Sequence, residues 1–247
     1  MKKHNIRDLS YLSVKGKPLL ARERVFRGAA FRKLSKKTLR YFSSLPLTDV
    51  IDLRTPGEIM KKPDIHLTGV SHHEIPLLDE ATIGITHEKG LKGYKQPPVM
   101  PDLYAKLVTD PFPVAGIKKA IHVLLDPNRE GAIYVHCTAG KDRSGIVMAL
   151  FEYACGVSLE DIYADYQASN PVNEKKGKKY AFWIRTLLRK KELAKSVLKA
   201  MQANKEYLDS AFNAIKEKHG SIDAFLRNEL EVTPEEVAAF LKKNQDE

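Results

Sequence analysis

The chain has 247 residues, 43% of them hydrophobic and 29% charged, enough apolar material for a full core, which excludes disordered, collagen-like and disulfide-stapled chains. Forty-one lysines and arginines face 31 acidic residues, a formal net charge of +10, so the expected partner is anionic: nucleic acid, a membrane surface or a phosphate group. The only cysteines are Cys137 and Cys155, no stretch approaches the ~20 apolar residues of a membrane span, and no signal-like apolar run follows the opening MKKHNIRDLS, so the chain as written reads as cytoplasmic, or as secreted if a leader was removed.

In chain order, short apolar runs alternate with Pro and Gly up to about Gly156, and helical periodicity takes over beyond it. This predicts one domain over residues 1–247, with an α/β core over 1–156 and a helical part over 157–247 packed on it. Strands are predicted at 25–27, 49–53, 69–77 and 132–136, where β-branched residues cluster. Helices are predicted from the Ser35 cap through Phe42 and over 117–125. Residues 79–113, rich in Gly and Pro, read as a long loop with at most a short helix at 102–108, and loops of that length are often functional. Further on, Ser158, Asn204, Ser221 and the box Thr233-Pro234-Glu235-Glu236 mark helix starts, and Gly220 marks a helix end. The strongly basic run 175–195 carries Tyr180, Trp183, Ile184, Leu187 and Leu188 at helical spacing, which suits core packing better than a binding device. From charge alone it is also a candidate lid, or a collector of acidic substrates or anionic headgroups.

The chemistry concentrates in residues 133–145, IYVHCTAGKDRSG. A strand running into Cys137, a tight turn and a helix opening near Arg143 form an anion site, because turn amides and the positive helix end converge on one point. Gly140 allows the turn, and Gly145 clears the helix start. In that field Cys137 is expected to ionise readily and act as nucleophile. The planar fork of Arg143 suits two phosphoryl oxygens at once, and Thr138, Ala139, Gly140, Lys141, Ser144 and Gly145 complete the cradle. Phosphoryl transfer depends mainly on positioning and charge stabilisation, which such a loop supplies with no metal or cofactor.

HCTAGKDRSG resembles the signature loop of the bacterial tyrosine and dual-specificity phosphatases that carry Lys-Asp between the loop's Gly and Arg, a family with phosphoinositide-hydrolysing members. Asn5-Ile6-Arg7-Asp8-Leu9 resembles its N-x-R-D-L element, Asp52-Leu53-Arg54 with Glu58 and Pro63 its D-L-R-x-x-x-E block, and Ile75-Pro76-Leu77 its following strand. The closing helices are similar too. Ser10-Tyr11 stand in place of the usual Gly-Gly, Gly28 in place of Ser, and Ser144 in place of the commoner Thr. The resemblance implies a phosphatase-like α/β core with a mixed sheet, the signature loop between strand and helix, and additional C-terminal helices. It also implies a phosphorylated protein or phospholipid as substrate.

Hydrolysis then needs a carboxyl group that protonates the leaving oxygen and activates water. No W-P-D loop is available, since Trp183 precedes Ile184. Asp142 inside the loop is the first candidate, as the family also implies, and Asp102, 35 residues before Cys137, is the alternative. Lys141 is expected at the pocket rim, Ser144 beside the sulfur, and His136 on the opposite strand face from Cys137. Arg54 either leans into the pocket or forms a structural ion pair. His66, His72, His73 and Glu74 match no familiar metal spacing, and Cys155 lies too far from Cys137 for a disulfide. The rival readings are a phosphate-binding module without turnover and, from charge alone, a nucleic-acid binder.

Overall fold

The computed structural model describes residues 4–32, 34–79 and 99–245. Strands β1 (Arg7–Asp8), β4 (Val25–Ala29), β5 (Leu47–Asp52), β6 (Ser71–Glu74) and β7 (Ala132–Cys137) form a mixed sheet in the order β1-β4-β7-β5-β6. β1 runs antiparallel to β4 and the other neighbours are parallel. Strands β2 (Ser13–Val14) and β3 (Lys17–Pro18) form a separate hairpin. Every residue of β4 and β7 is buried, as expected of central parallel strands covered on both faces. The alternation of β7 divides the core. Ile133, Val135 and Cys137 face one cluster, while Ala132 and Tyr134 face another with Phe26, Phe31 and Phe42.

Eleven helices are described: α1 (Lys36–Ser44), α2 (Pro56–Lys61), α3 (Met100–Thr109), α4 (Pro111–Leu125), α5 (Arg143–Ala154), α6 (Leu159–Gln167), α7 (Asn170–Leu187), α8 (Lys191–Met201), α9 (Lys205–His219), α10 (Ile222–Asn228) and α11 (Pro234–Asn244). The hydroxyls of Ser35, Ser158, Ser221 and Thr233 cap α1, α6, α10 and α11 as the sequence predicts. Asn204 precedes α9 without a side-chain cap bond, and Gly220 ends that helix at φ +83°. At α11 only half of the predicted box forms, because the Glu236 carboxylate is engaged by His122 at 2.7 Å.

Three expectations are corrected. Residues 79–113 are not one long loop where they are described: α3 is a full helix, and α4 starts at Pro111, six residues before the predicted start. Proline at a first helical position carries no hydrogen-bond penalty, so Pro111 opens a helix within a segment whose Gly and Pro content suggests loop. Residues 80–98 of the predicted loop lie outside the described residues. The strand predicted at 69–77 shrinks to β6, since only four residues pair with β5. Finally, the apolar stripe of 175–195 is not all core: Ile184 is buried, whereas Trp183 and Leu187 are exposed.

Candidate functional site

The carboxyl ends of β4, β5 and β7 lie side by side, with Ala29 opposite Cys137 and Asp52 opposite His136. In open parallel sheets this is where ligands bind. Cys137 ends β7 and Arg143 opens α5, so residues 137–143 form a loop between the sheet edge and a helix N-terminus.

Gly140 occupies the left-handed region at φ +68°, and a Cβ there would stand 2.2 Å from the carbonyl carbon of Gly28. Only glycine fits. Asn5 grips the loop from outside: its Nδ2 donates to the carbonyl oxygens of Ala139 at 3.2 Å and Gly140 at 2.9 Å. In a planar trans peptide the following N–H points the other way, so this grip turns the amides of Gly140 and Lys141 away from Asn5. Asn5 is in turn fixed by Arg7 Nη1 at 2.8 Å, and Arg7 Nε donates to Asp165 at 2.8 Å. Arg27 and the hydroxyl of Tyr11 also bond Asp165. Burial pushes this carboxyl up, but Arg27 and Arg7 outweigh it and hold it down at about 2. The opening N-x-R-D-L element is therefore a brace for the loop. Sequence reading matched the motif but assigned its residues no role.

Arg143 is held as a fork. Its Nη1 and Nη2 donate to the two carboxylate oxygens of Glu58 at 2.5 and 2.9 Å, and Nη1 reaches the Leu53 carbonyl at 3.4 Å. Glu58 sits at the third position of α2, where Thr55-Pro56-Gly57-Glu58 closes a capping box. The same carboxylate accepts from the Thr138 hydroxyl at 2.5 Å. The sequence places Glu58 in a family block beside Arg54, and the structure places it on Arg143. The capping-box spacing was the signal available to find it.

The Sγ of Cys137 lies 3.6 Å from the Ser144 hydroxyl, and both residues are buried. Gly145 packs at the helix start, where a Cβ would stand 3.1 Å from the Tyr166 ring. Asp142 is partly open to solvent and accepts from the Tyr104 hydroxyl at 2.6 Å and from Lys141 at 2.9 Å. With its one proton on Asp142, Tyr104 receives that of Tyr166 at 2.7 Å. Asp102, the alternative carboxyl, is exposed in the first turn of α3 and makes no described bond to the loop.

Two predicted ligand-binding residues stand elsewhere. Lys141 is not at the rim but 2% exposed, donating to the carbonyls of Ala200 at 2.7 Å and Gln202 at 3.1 Å, at the end of α8. An ammonium satisfies carbonyls that the helix end leaves free. Arg54 takes the ion-pair alternative: it is 1% exposed, hydrogen-bonded to Asp52 at 2.5 Å and the Lys62 carbonyl at 2.9 Å, and ion-paired with Asp64 at 3.0 Å. His136 shares Asp64 at 3.0 Å, on the sheet face opposite Cys137, as the strand alternation predicts. Asp52, Asp64 and His136 converge closely, and the Arg54 guanidinium already pairs with both carboxylates there. Cys155 is a buried free thiol, and burial pushes it up from its ordinary range.

Residues 2–244 match the tyrosine phosphatase family. A protein of Cupriavidus necator described as a tyrosine-protein phosphatase is 30% identical over 234 residues, covering 92% of this chain and 82% of its own. The triple specificity protein phosphatase PtpB of Mycobacterium tuberculosis is 27% identical over 254 residues, covering 91% of this chain and 90% of its own.

Proposed function

The chain belongs to the tyrosine phosphatase family, and from that premise we propose that it hydrolyses phosphomonoesters through a phosphocysteine on Cys137. Its first substrate class is protein phosphotyrosine, with phosphoserine, phosphothreonine and phosphoinositides following. One observation carries the reading: a cysteine, a ring of turned amides and an arginine fork fixed by Glu58 share one seven-residue loop.

The phosphoryl group lies among the loop amides with two oxygens on Arg143. The sulfur of Cys137 attacks phosphorus, the P–O ester bond breaks, and the leaving oxygen takes the proton of Asp142. Water then attacks phosphorus and yields a proton to the Asp142 carboxylate. The P–S bond breaks, and the Ser144 hydroxyl donates to the departing sulfur. Tyr104 keeps Asp142 aimed. The described geometry favours Asp142 over Asp102, since only Asp142 is bonded into the loop's surroundings. No step calls for a metal or cofactor.

The test is a panel of phosphotyrosine peptide, phosphoserine peptide and phosphoinositides. It is run with wild type, Cys137→Ser, Asp142→Asn and Asp102→Asn. Cys137→Ser should abolish turnover of every substrate. Asp142→Asn should slow poor leaving groups by roughly 10²–10⁴-fold, the usual worth of a general acid, and remove the alkaline limb of the pH profile. Asp102→Asn should behave as wild type. Full activity in Cys137→Ser refutes the mechanism, and loss confined to Asp102→Asn transfers the acid to that residue. Tight phosphate binding with no turnover of any substrate would identify a binding module instead.

A further inference from the structure

Helices α7 and α8 form an antiparallel hairpin with a small core of its own, Ile184, Ala194 and Val197, separate from the two main clusters. Gly177 brings the helices together: a Cβ there would meet Leu198 at 3.1 Å and Met201 at 3.3 Å. The foot of the hairpin is fastened by Lys141 on the Ala200 and Gln202 carbonyls and by Asn170, which accepts from the Ala203 amide at 2.6 Å. Among the described residues, the other end has no such anchor.

That free end is unusually apolar. Within nine residues, Tyr180, Phe182, Trp183, Leu187 and Leu188 are all exposed, Phe182 by 60% and Leu187 by 67%. Tyr180, Trp183 and Leu187 follow the i, i+3, i+7 spacing of one helical stripe, and Phe182 and Trp183 meet edge to face. Isolated exposed apolar residues need no explanation, but a contiguous group at a protruding end does. Arg185, Arg189, Lys190 and Lys191, within and directly after this group in sequence, are exposed as well. Residues 174–195 hold nine lysines and arginines against two glutamates, a net charge of +7 out of +10 for the whole chain.

From this juxtaposition we infer that the hairpin tip is a membrane-docking element that inserts its aromatic and aliphatic side chains at the headgroup boundary of an anionic bilayer. Large apolar residues ringed by snorkelling cations are the composition of interfacial helices. Each cation near an anionic surface adds about tenfold or less to partitioning. A nucleic acid would reward the cations and the rings but not Leu187 and Leu188. A folded protein partner would need a groove for a convex tip, and the +7 charge gives it no preference over lipid. Helix α7 spans 18 residues, roughly 27 Å, which is the most by which the hairpin can separate its docked tip from the Lys141 anchor at its foot.

Trp183 is the only tryptophan, so its fluorescence reports on the tip alone. Full-length protein is titrated with phosphatidylcholine vesicles, with and without phosphatidylserine, whose phosphate is a diester and therefore no substrate for the proposed phosphatase. Anionic vesicles should shift Trp183 emission to the blue and shield it from acrylamide, while neutral vesicles leave it unchanged. Arg189→Ala/Lys190→Ala/Lys191→Ala should weaken partitioning by roughly 100-fold. Leu187→Asp/Leu188→Asp should weaken it at least tenfold, and both variants should keep wild-type turnover of a soluble phosphotyrosine peptide. Co-sedimentation with vesicles without a Trp183 shift overturns the inference, because binding then lies elsewhere. So does equal binding by the leucine variant, or a Trp183 shift on adding an acidic polypeptide or duplex DNA but not vesicles.

Discussion

The reach of Glu58 extends to three places at once: the amide of Thr55, the hydroxyl of Thr138 and both nitrogens of the Arg143 fork. Since Glu58 acts through Arg143, it is a positioning residue. Glu58→Gln should lower kcat/KM by about 10–100-fold through a misaimed fork, with a circular dichroism melt close to wild type. Phosphate affinity should fall alongside, which separates misaiming from loss of an acid. Legibility at this scale was uneven. Cys137, Arg143, Asp142 and Ser144 stand where the spacing of HCTAGKDRSG puts them, because a strand–turn–helix fixes side chains that are neighbours in sequence. Lys141 was misplaced, and the two alternatives for Arg54 stayed open, because Ala200 and Asp64, which hold them, are named by no local pattern. Gly28, unusual for the family, is explained by Tyr134: a Cβ at 28 would lie 2.3 Å from the Tyr134 hydroxyl, which donates to Ala29 at 2.6 Å. Gly28→Ser should therefore lower the melting temperature.

Elements set the loop's shape more than the loop's own side chains do. β1 carries Arg7, α6 carries Asp165, and together they hold Asn5 against the Ala139 and Gly140 carbonyls. Asn5→Ala removes two outward hydrogen bonds at a cost of about 1 kcal/mol each in general. It should reduce turnover, and phosphate should slow loop exchange in the variant more than in wild type. Gly140→Ala should be inactive, since a methyl 2.2 Å from the Gly28 backbone at positive φ forces the loop open. Helix caps were readable because Ser and Thr bond within their own turn. The extent of α3 and α4 was not, because Gly and Pro composition averages over a segment while helices are decided position by position.

At the scale of the whole molecule, buried charge makes folding depend on pH from both sides. Asp165, near 2 when folded against 3.8 ordinarily, contributes stability that is present above about pH 4 and lost as pH falls toward 2. Asp165→Asn should flatten that acid limb in urea titrations. Glu152 is opposite in sign: complete burial, then the neighbouring Asp165 charge, push its carboxyl well above the ordinary 4.5. A raised carboxyl gives stability that is present below pH 4.5 and declines as pH rises, so Glu152→Gln should gain stability at pH 8 and none at pH 4. Each kcal/mol gained appears as about 2–4 °C in Tm. The alternation of strands and later helices was legible as a class, whereas the sheet order depended on contacts far apart in sequence. The α7–α8 hairpin, finally, rests on three buried residues of its own while α5 is buried over ten in succession. Its amides should exchange deuterium with a protection free energy well below that of α5. The protein has two thresholds of opening, and a protease meeting the native state should cut between Leu187 and Lys191 long before the central sheet yields.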